Sequence, residues 1–315
     1  MFRLLSIVLL SLFVSEVSAQ LTYKDVVIDY DSAVEYKNLK VIPVRKKSGG
    51  GAPAARSPLS FGQAMQSGKV AVTERGTAST ENVHWLRINN NSGEPVFIAS
   101  GEVVIGGRQD RMITKDTILE SMPNDQYIPV MCVEEDRWSE KEKKFKYASF
   151  ANPALRRVLD QNRNQVLVWK EIYAQLDSGK IKSPTLAYAA KKTDKKNMLL
   201  TDEYLRYFTR KLMGENFDHL QADSNIVGVI CITGNSITGS DIYSDQGLFA
   251  TQFQTLLTGY IETAITEGAK PAVTDEQVKK YLDQFLTDEP KQEAYLKKNG
   301  KVFKRDGRVY HITAY

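Results

Sequence analysis

The chain reads as an α+β protein, and three observations lead there. Short apolar segments punctuated by Gly, Pro and Asn run from Val26 to Val133, whereas apolar residues recur at helical spacing from Asn152 onward. One late segment, Ile226–Thr233, is apolar throughout, as a strand covered on both faces would be. The composition, 42% hydrophobic and 25% charged over 315 residues, is that of an ordinary globular chain.

The first nineteen residues stand apart. Met1-Phe2-Arg3 is a short basic start, Leu4–Val14 an apolar run, and Val17-Ser18-Ala19 a small-residue cleavage signature. This is the layout of a secretory signal peptide spanning residues 1–19, so the chain is expected to be exported, periplasmic or secreted, after a cut near Ala19. No later apolar run reaches the roughly 18 residues of a membrane span.

Val26–Tyr30 and Leu39–Val44 read as strands, and Lys46–Ser57 as a flexible loop. A short helix over Pro58–Gln66 is stopped by Gly68. Strands follow at Val70–Glu74, Val83–Ile88, Val96–Ala99, Glu102–Ile105, Arg108–Ile113, Thr117–Leu119 and Tyr127–Val133. Asn152 is a good N-cap with Pro153 at the first helical position, and the apolar spacing then continues from Leu155 to Leu176, up to Gly179. A second helix is expected at about Thr201–Met213, a polar loop at Gly234–Tyr243, and an amphipathic helix from Leu248 to Ala264, closed by Gly268. Thr274-Asp275-Glu276-Gln277 is a capping box opening another helix. Asp306-Gly307 between Val302–Lys304 and Val309–Ile312 signals a hairpin. These elements suggest one α+β domain over residues 21–268, with residues 269–315 as a helix-and-hairpin tail.

Net charge is +4 and mixed along the chain, and the basic stretches Lys191–Lys196 and Lys297–Arg308 lack aromatic interleaving, so no nucleic-acid partner is expected. The two cysteines, Cys132 and Cys231, sit in apolar runs and are expected to be buried, on strands of one sheet. No histidine pair has metal-ligand spacing and no cofactor motif is complete, so no cofactor is expected.

The densest polar constellation lies in Val96–Trp138. If Gly106-Gly107 forms a two-residue turn, Ile105 faces Arg108 and Glu102 faces Arg111, and Glu102, Val104, Gln109 and Arg111 share one face. The strand Tyr127–Val133 delivers Glu134 at its end, followed by Arg137 and Trp138. Together, Glu102, Gln109, Arg111, Glu134, Arg137 and Trp138 are a candidate site for a polar or anionic small molecule, nucleotide- or sugar-like, held by bidentate Arg contacts and stacking. Two alternatives stand beside it: a hydrolase with Glu102 and Glu134 as acid and base, and a structural or interaction protein in which the same residues form a buried network. Oligomeric state is not legible.

At these residues the chain resembles the ADP-ribosylglycohydrolase- and rhodanese/phosphatase-associated protein domain family. The resemblance rests on Gly101-Glu102 with Gly107, Gln109 and Arg111, and on IPVMCVEEDRW at Ile128–Trp138. Weaker matches are Gly68–Glu74, the IVGVICI strand and Asp241-Ile242-Tyr243; the likeness spans about Leu39 to Ala264. It marks Glu102, Gln109, Arg111, Cys132, Glu134, Arg137 and Trp138 as motif positions, with Asp110 where the family commonly has Asn. The family's name records gene neighbours and implies a link to NAD or ADP-ribose metabolism without defining an activity.

Overall fold

The computed structural model describes residues 21–47, 57–76, 83–141, 144–214 and 225–315. The expected signal peptide and most of the Lys46–Ser57 loop lie outside the described residues. The architecture is α+β, with antiparallel sheets built largely from the first half and helices from the second.

Strands β1 (Val26–Ile28), β2 (Val34–Tyr36) and β3 (Leu39–Lys46) come first, then β4 (Leu59–Ser60) and helix α1 (Phe61–Gln66). The helix is shorter than expected because Ser60 is its N-cap, accepting from the Gln63 amide. Next come β5 (Val70–Glu74), β6 (Trp85–Asn90), β7 (Val96–Ile98), β8 (Glu102–Gly106), β9 (Arg111–Ile113), β10 (Thr117–Leu119), β11 (Met122–Cys132) and β12 (Phe145–Phe150).

Six of these strands pair in the order β12-β8-β9-β11-β6-β5. An antiparallel bridge from Thr73 on β5 to Lys144, next to β12, joins the two ends, so the sheet closes into a small barrel. Alternation fills it: Val72, Ile88, Val104, Ile113, Ile128 and Phe145 pack inside. Strand β7 sits between parallel β4 and antiparallel β10. It turns Val96 and Ile98 toward the barrel core and Phe97 toward the rest of the molecule.

The second half begins with α2 (Pro153–Asn162) and α3 (Gln165–Ser178), which cover Val103 and Met112 on the barrel's outer face. One continuous helix was expected here. It breaks because Arg163 is left-handed (φ 46°) and the Asn164 side chain caps a new helix through the Val166 and Leu167 amides. Helices α4 (Ala190–Thr193) and α5 (Lys195–Met213) follow, then strands β13 (Ile226–Thr233) and β14 (Ser236–Tyr243), and α6 (Gln246–Thr266). The chain ends with α7 (Asp275–Leu282), α8 (Glu289–Asn299), β15 (Gly300–Arg305) and β16 (Arg308–Ala314).

A seven-stranded antiparallel sheet joins the chain's two ends, in the order β1-β3-β13-β14-β16-β15, with β2 beside β3. Every residue of central β13 is buried. On one face Val229 and Cys231 meet Phe253, Leu257 and Ile261 of α6. On the other, Val227, Ile230 and Ile232 meet Val278 and Leu282 of α7. The hairpin read as a tail supplies β16, which lies between β14 and β15 within this sheet.

Two further expectations are corrected. The Gly234–Tyr243 loop is the hairpin strand β14: its Ser240 and Asp241 are buried because polar partners meet them from distant segments, which a polarity pattern does not reveal. Cys132 and Cys231 are both buried and unbridged, but they lie in different sheets, the barrel and the seven-stranded sheet respectively. No helix among the described residues is long and apolar enough to cross a membrane.

Candidate functional site

The glycine turn is wider than two residues. Gly106 (φ 108°) and Gly107 (φ 55°) do adopt left-handed backbone, but β9 starts only at Arg111. Arg111 therefore pairs with Val104 and Met112 with Val103, a slip of two residues from the expected register. Glu102 does not face Arg111. An even slip keeps the faces, so Arg111 still points into the barrel with Val104. There its Nη2 lies 3.8 Å from Glu74, which ends the inward-facing series Val70, Val72, Glu74 on β5. Glu74 also accepts the Arg108 amide at 2.7 Å. Glu74 is a member of this network that the pattern analysis passed over; its inward phase on β5 was the available signal.

The widened turn is held by Arg137. Its guanidinium donates to the carbonyls of Gly107 (2.9 Å) and Gly106 (3.1 Å), to Asp110 Oδ1 (2.9 Å) and to Glu134 Oε2 (2.8 Å). Asp110 accepts the Gly106 amide, and Glu134 accepts the Asp110 amide at 3.0 Å. Gln109 donates to the Glu135 carbonyl, and the Arg108 guanidinium lies 5.4 Å from the centre of the Trp138 ring. Burial pushes the Asp110 carboxyl up to about 6 against the pull of Gly106 and Arg137. Burial also raises Glu134, but donors from Arg137, Thr185 and Asp110 outweigh it and hold that carboxyl below its ordinary value.

Glu102 belongs elsewhere. It is fully buried beneath the Ala99–Gly101 turn and accepts the Ala99 amide at 2.7 Å through one oxygen. Its other oxygen makes no close hydrogen bond, although the nearby Tyr147 hydroxyl pulls the carboxyl down. Burial pushes its carboxyl up to about 8, and the charge of Asp116 adds to the shift. Of the six candidate residues, the fold thus gathers Gln109, Glu134 and Arg137 at the turn and sets Trp138 against Arg108. Arg111 goes to Glu74, and Glu102 shares no partner with Glu134.

A second constellation, assembled from six segments, lies where the barrel meets the seven-stranded sheet. Asp116 accepts the Ser100 amide and His311 Nδ1, both at 2.7 Å. His311 Nε2 reaches Asp241 Oδ1 at 3.0 Å, and its ring stacks on Tyr243 with centroids 4.2 Å apart. Asp241 in turn takes two bonds from Arg156 (3.0 and 2.6 Å), one from Thr313 and one from Tyr260. All of Asp116, Arg156, Asp241 and His311 are buried. Burial works against the charged forms, yet the opposite charges prevail: both Asp carboxyls fall below the ordinary range, and His311 rises above its own. The line is an alternation of charge, each ion facing its opposite.

Asp116 emerges in a cleft of about 410 Å³ between the Thr114–Asp116 loop, the end of α2, α8 and β15. Its charged walls are Lys115, Asp116, Asp160, Arg163, Glu293, Lys297 and Lys301. The Lys301 ammonium is held only loosely, 3.4 Å from the Ser100 carbonyl, 3.5 Å from Asp116 and 3.7 Å from Asp160. Sequence reading missed this cleft because its residues are spread from position 115 to 301; only Asp241-Ile242-Tyr243, a charge next to two large apolar residues, hinted at the network behind it.

The fold and these two networks define an α+β protein in which a closed barrel is welded to a mixed-origin sheet by buried ion pairs. The chain belongs to the ARG and Rhodanese-Phosphatase-superfamily-associated Protein domain family, whose model matches residues 27–311, a span wider at both ends than the motifs alone had outlined. No curated protein and no solved structure matches it.

Proposed function

We propose that this chain is an exported binding protein for an anionic small molecule, and that the ligand sits in the cleft over Asp116 and Lys301. One observation carries the reading: the cleft's cations outnumber the carboxylates free to balance them. Asp116 is shared with His311 and Glu293 with Lys304 at 2.9 Å, which leaves Asp160, accepting only the neutral Tyr315 hydroxyl at 2.8 Å besides its long contact to Lys301, against the four cations Lys115, Arg163, Lys297 and Lys301 of the lining. Lys115, Arg163 and Lys297 make no ion pair with any described residue, and Lys301 has only the long contacts given above. A phosphate or carboxylate group entering there meets converging cations without displacing a strong protein pair.

The six residues singled out from sequence fit this reading as framework, because Arg137 and Glu134 spend their hydrogen bonds on the glycine turn. A hydrolase using Glu102 and Glu134 finds no support in their separate surroundings. Export rests on the leader signature at residues 1–19 and is checked by sequencing the N-terminus of the mature chain, expected at Gln20. Mass spectrometry of small molecules retained by the purified protein tests the cleft. An anion should co-purify with the wild type and be absent from Lys301→Ala and Arg163→Ala variants of normal melting temperature. An anion retained equally by all three would place binding elsewhere.

A further inference from the structure

Resting on the cleft reading, we propose that anion binding there is proton-gated. The imidazolium of His311 neutralises Asp116 from behind and leaves Lys301 to the ligand; loss of that proton turns Lys301 back onto Asp116 and weakens the cleft for anions. The geometry for this is in place. Asp116 presents one oxygen to His311 at 2.7 Å and the other to Lys301 at 3.5 Å, so the two cations compete for one carboxylate. Lys301 also reaches Asp160 at 3.7 Å and the Ser100 carbonyl at 3.4 Å, and none of these contacts is short enough to pin it.

Every charged or titratable group around His311 bears on the sign. Asp116 faces it from the loop before β10, Asp241 and the Tyr243 ring from β14, and Thr313 from its own strand. Arg156 of α2 and Tyr260 of α6 act on it through Asp241, and Lys301 of β15 through Asp116. The two flanking carboxylates dominate and hold the ring protonated above its ordinary range. Arg156 satisfies Asp241 independently, so deprotonation of His311 leaves Asp116 as the carboxylate short of a cation. Glu102 also interacts with Asp116 and gains charge near pH 8. Its ionisation acts in the same direction and has to be separated from that of His311.

Sulfate is the probe, because it stays a dianion throughout the working range of roughly pH 5.5 to 9.5. Its affinity is measured by calorimetry at constant ionic strength in the wild type and in Glu102→Gln, while the His311 ring is titrated by NMR. One unit of charge appearing behind Lys301 should weaken sulfate binding by about five- to tenfold. The fall should be centred on the His311 midpoint in both proteins, and saturating sulfate should raise that midpoint by a matching amount, as reciprocal coupling requires. A flat affinity profile, or one that tracks Glu102 and disappears in Glu102→Gln, overturns the gate while leaving the cleft intact, provided that Lys301→Ala abolishes binding. Sulfate that fails to bind at any pH, or binds equally well to Lys301→Ala, refutes the cleft reading and the gate with it.

Discussion

Replacing Glu102 by Gln should make the protein more stable, and increasingly so as pH rises. The side chain is wholly buried, with one oxygen on the Ala99 amide and the other without a close hydrogen bond. Its folded carboxyl titrates near 8 against an ordinary 4.5. A raised acid is neutral in the folded state where the unfolded chain has already ionised. Its contribution to stability is therefore fully present below about pH 4.5 and is lost as pH rises through 8. A gap of about 3.5 units corresponds to at most about 5 kcal/mol. Gln keeps an acceptor for Ala99 and carries no charge, so the variant is spared this loss. The assay is urea denaturation of both proteins from about pH 4 to 9, since subtracting the two curves removes titrations they share, including that of His311. The difference should be near zero at the acid end, grow by about 1.4 kcal/mol per pH unit and level off above pH 8. A difference that does not change with pH would show that Glu102 titrates alike in folded and unfolded chains, and the account of its burial would be wrong.

Arg137→Ala should cost about 2 kcal/mol, discounted for its partial exposure, by freeing the carbonyls of Gly106 and Gly107; Lys should not rescue it, having no planar fork to reach both carbonyls and both carboxylates. Chemical denaturation decides, and a loss below about 0.5 kcal/mol would mean that the turn holds itself. Gly107→Ala should be more damaging than Gly93→Ala, although both have positive φ, because a methyl at Gly107 overlaps the Phe145 ring while Gly93 has open space. The expected losses are more than about 2 and about 1 kcal/mol respectively, and equal melting temperatures would contradict the packing argument. Arg156→Ala should cost about 3–5 kcal/mol by stranding Asp241, with Asp241→Asn in that background recovering part of it. Additive losses in the double variant would deny that the two residues act as a pair.

Local signals survived the passage from sequence to fold where the chemistry was local. Asn152 caps α2 with Pro153 inside it, Thr274 and Gln277 close a reciprocal capping box, and Asp306 and Gly307 take left-handed conformations in the C-terminal hairpin. The features that misled are those fixed from afar. A glycine pair announces a turn but not its width; here Arg137, about thirty residues downstream, sets it. Strand β14 looked like a loop because Asp241 is polar, and the Arg156, His311 and Thr313 that bury it come from two distant elements, α2 and β16. The candidate site suffered the same way. Residues close in sequence were legible as a cluster, whereas Asp116, Asp160 and Lys301 become neighbours only through the fold.

The stitching of the seven-stranded sheet also fixes an order of events. The barrel draws on residues 70–150, one contiguous stretch of the chain. Strand β3, by contrast, has to wait for β13: Ile42 pairs with Ile230. The outer hairpin arrives last of all, since β16 ends at Ala314. Long-range pairings of this kind bear the full entropy of closing the intervening loop and form slowly. A growing chain would therefore carry a finished barrel while β3, paired along one edge with β1 and β2, kept its other edge open until β13 was made. For that interval β3 is an exposed strand edge, open to capture by a chaperone or by a second nascent chain.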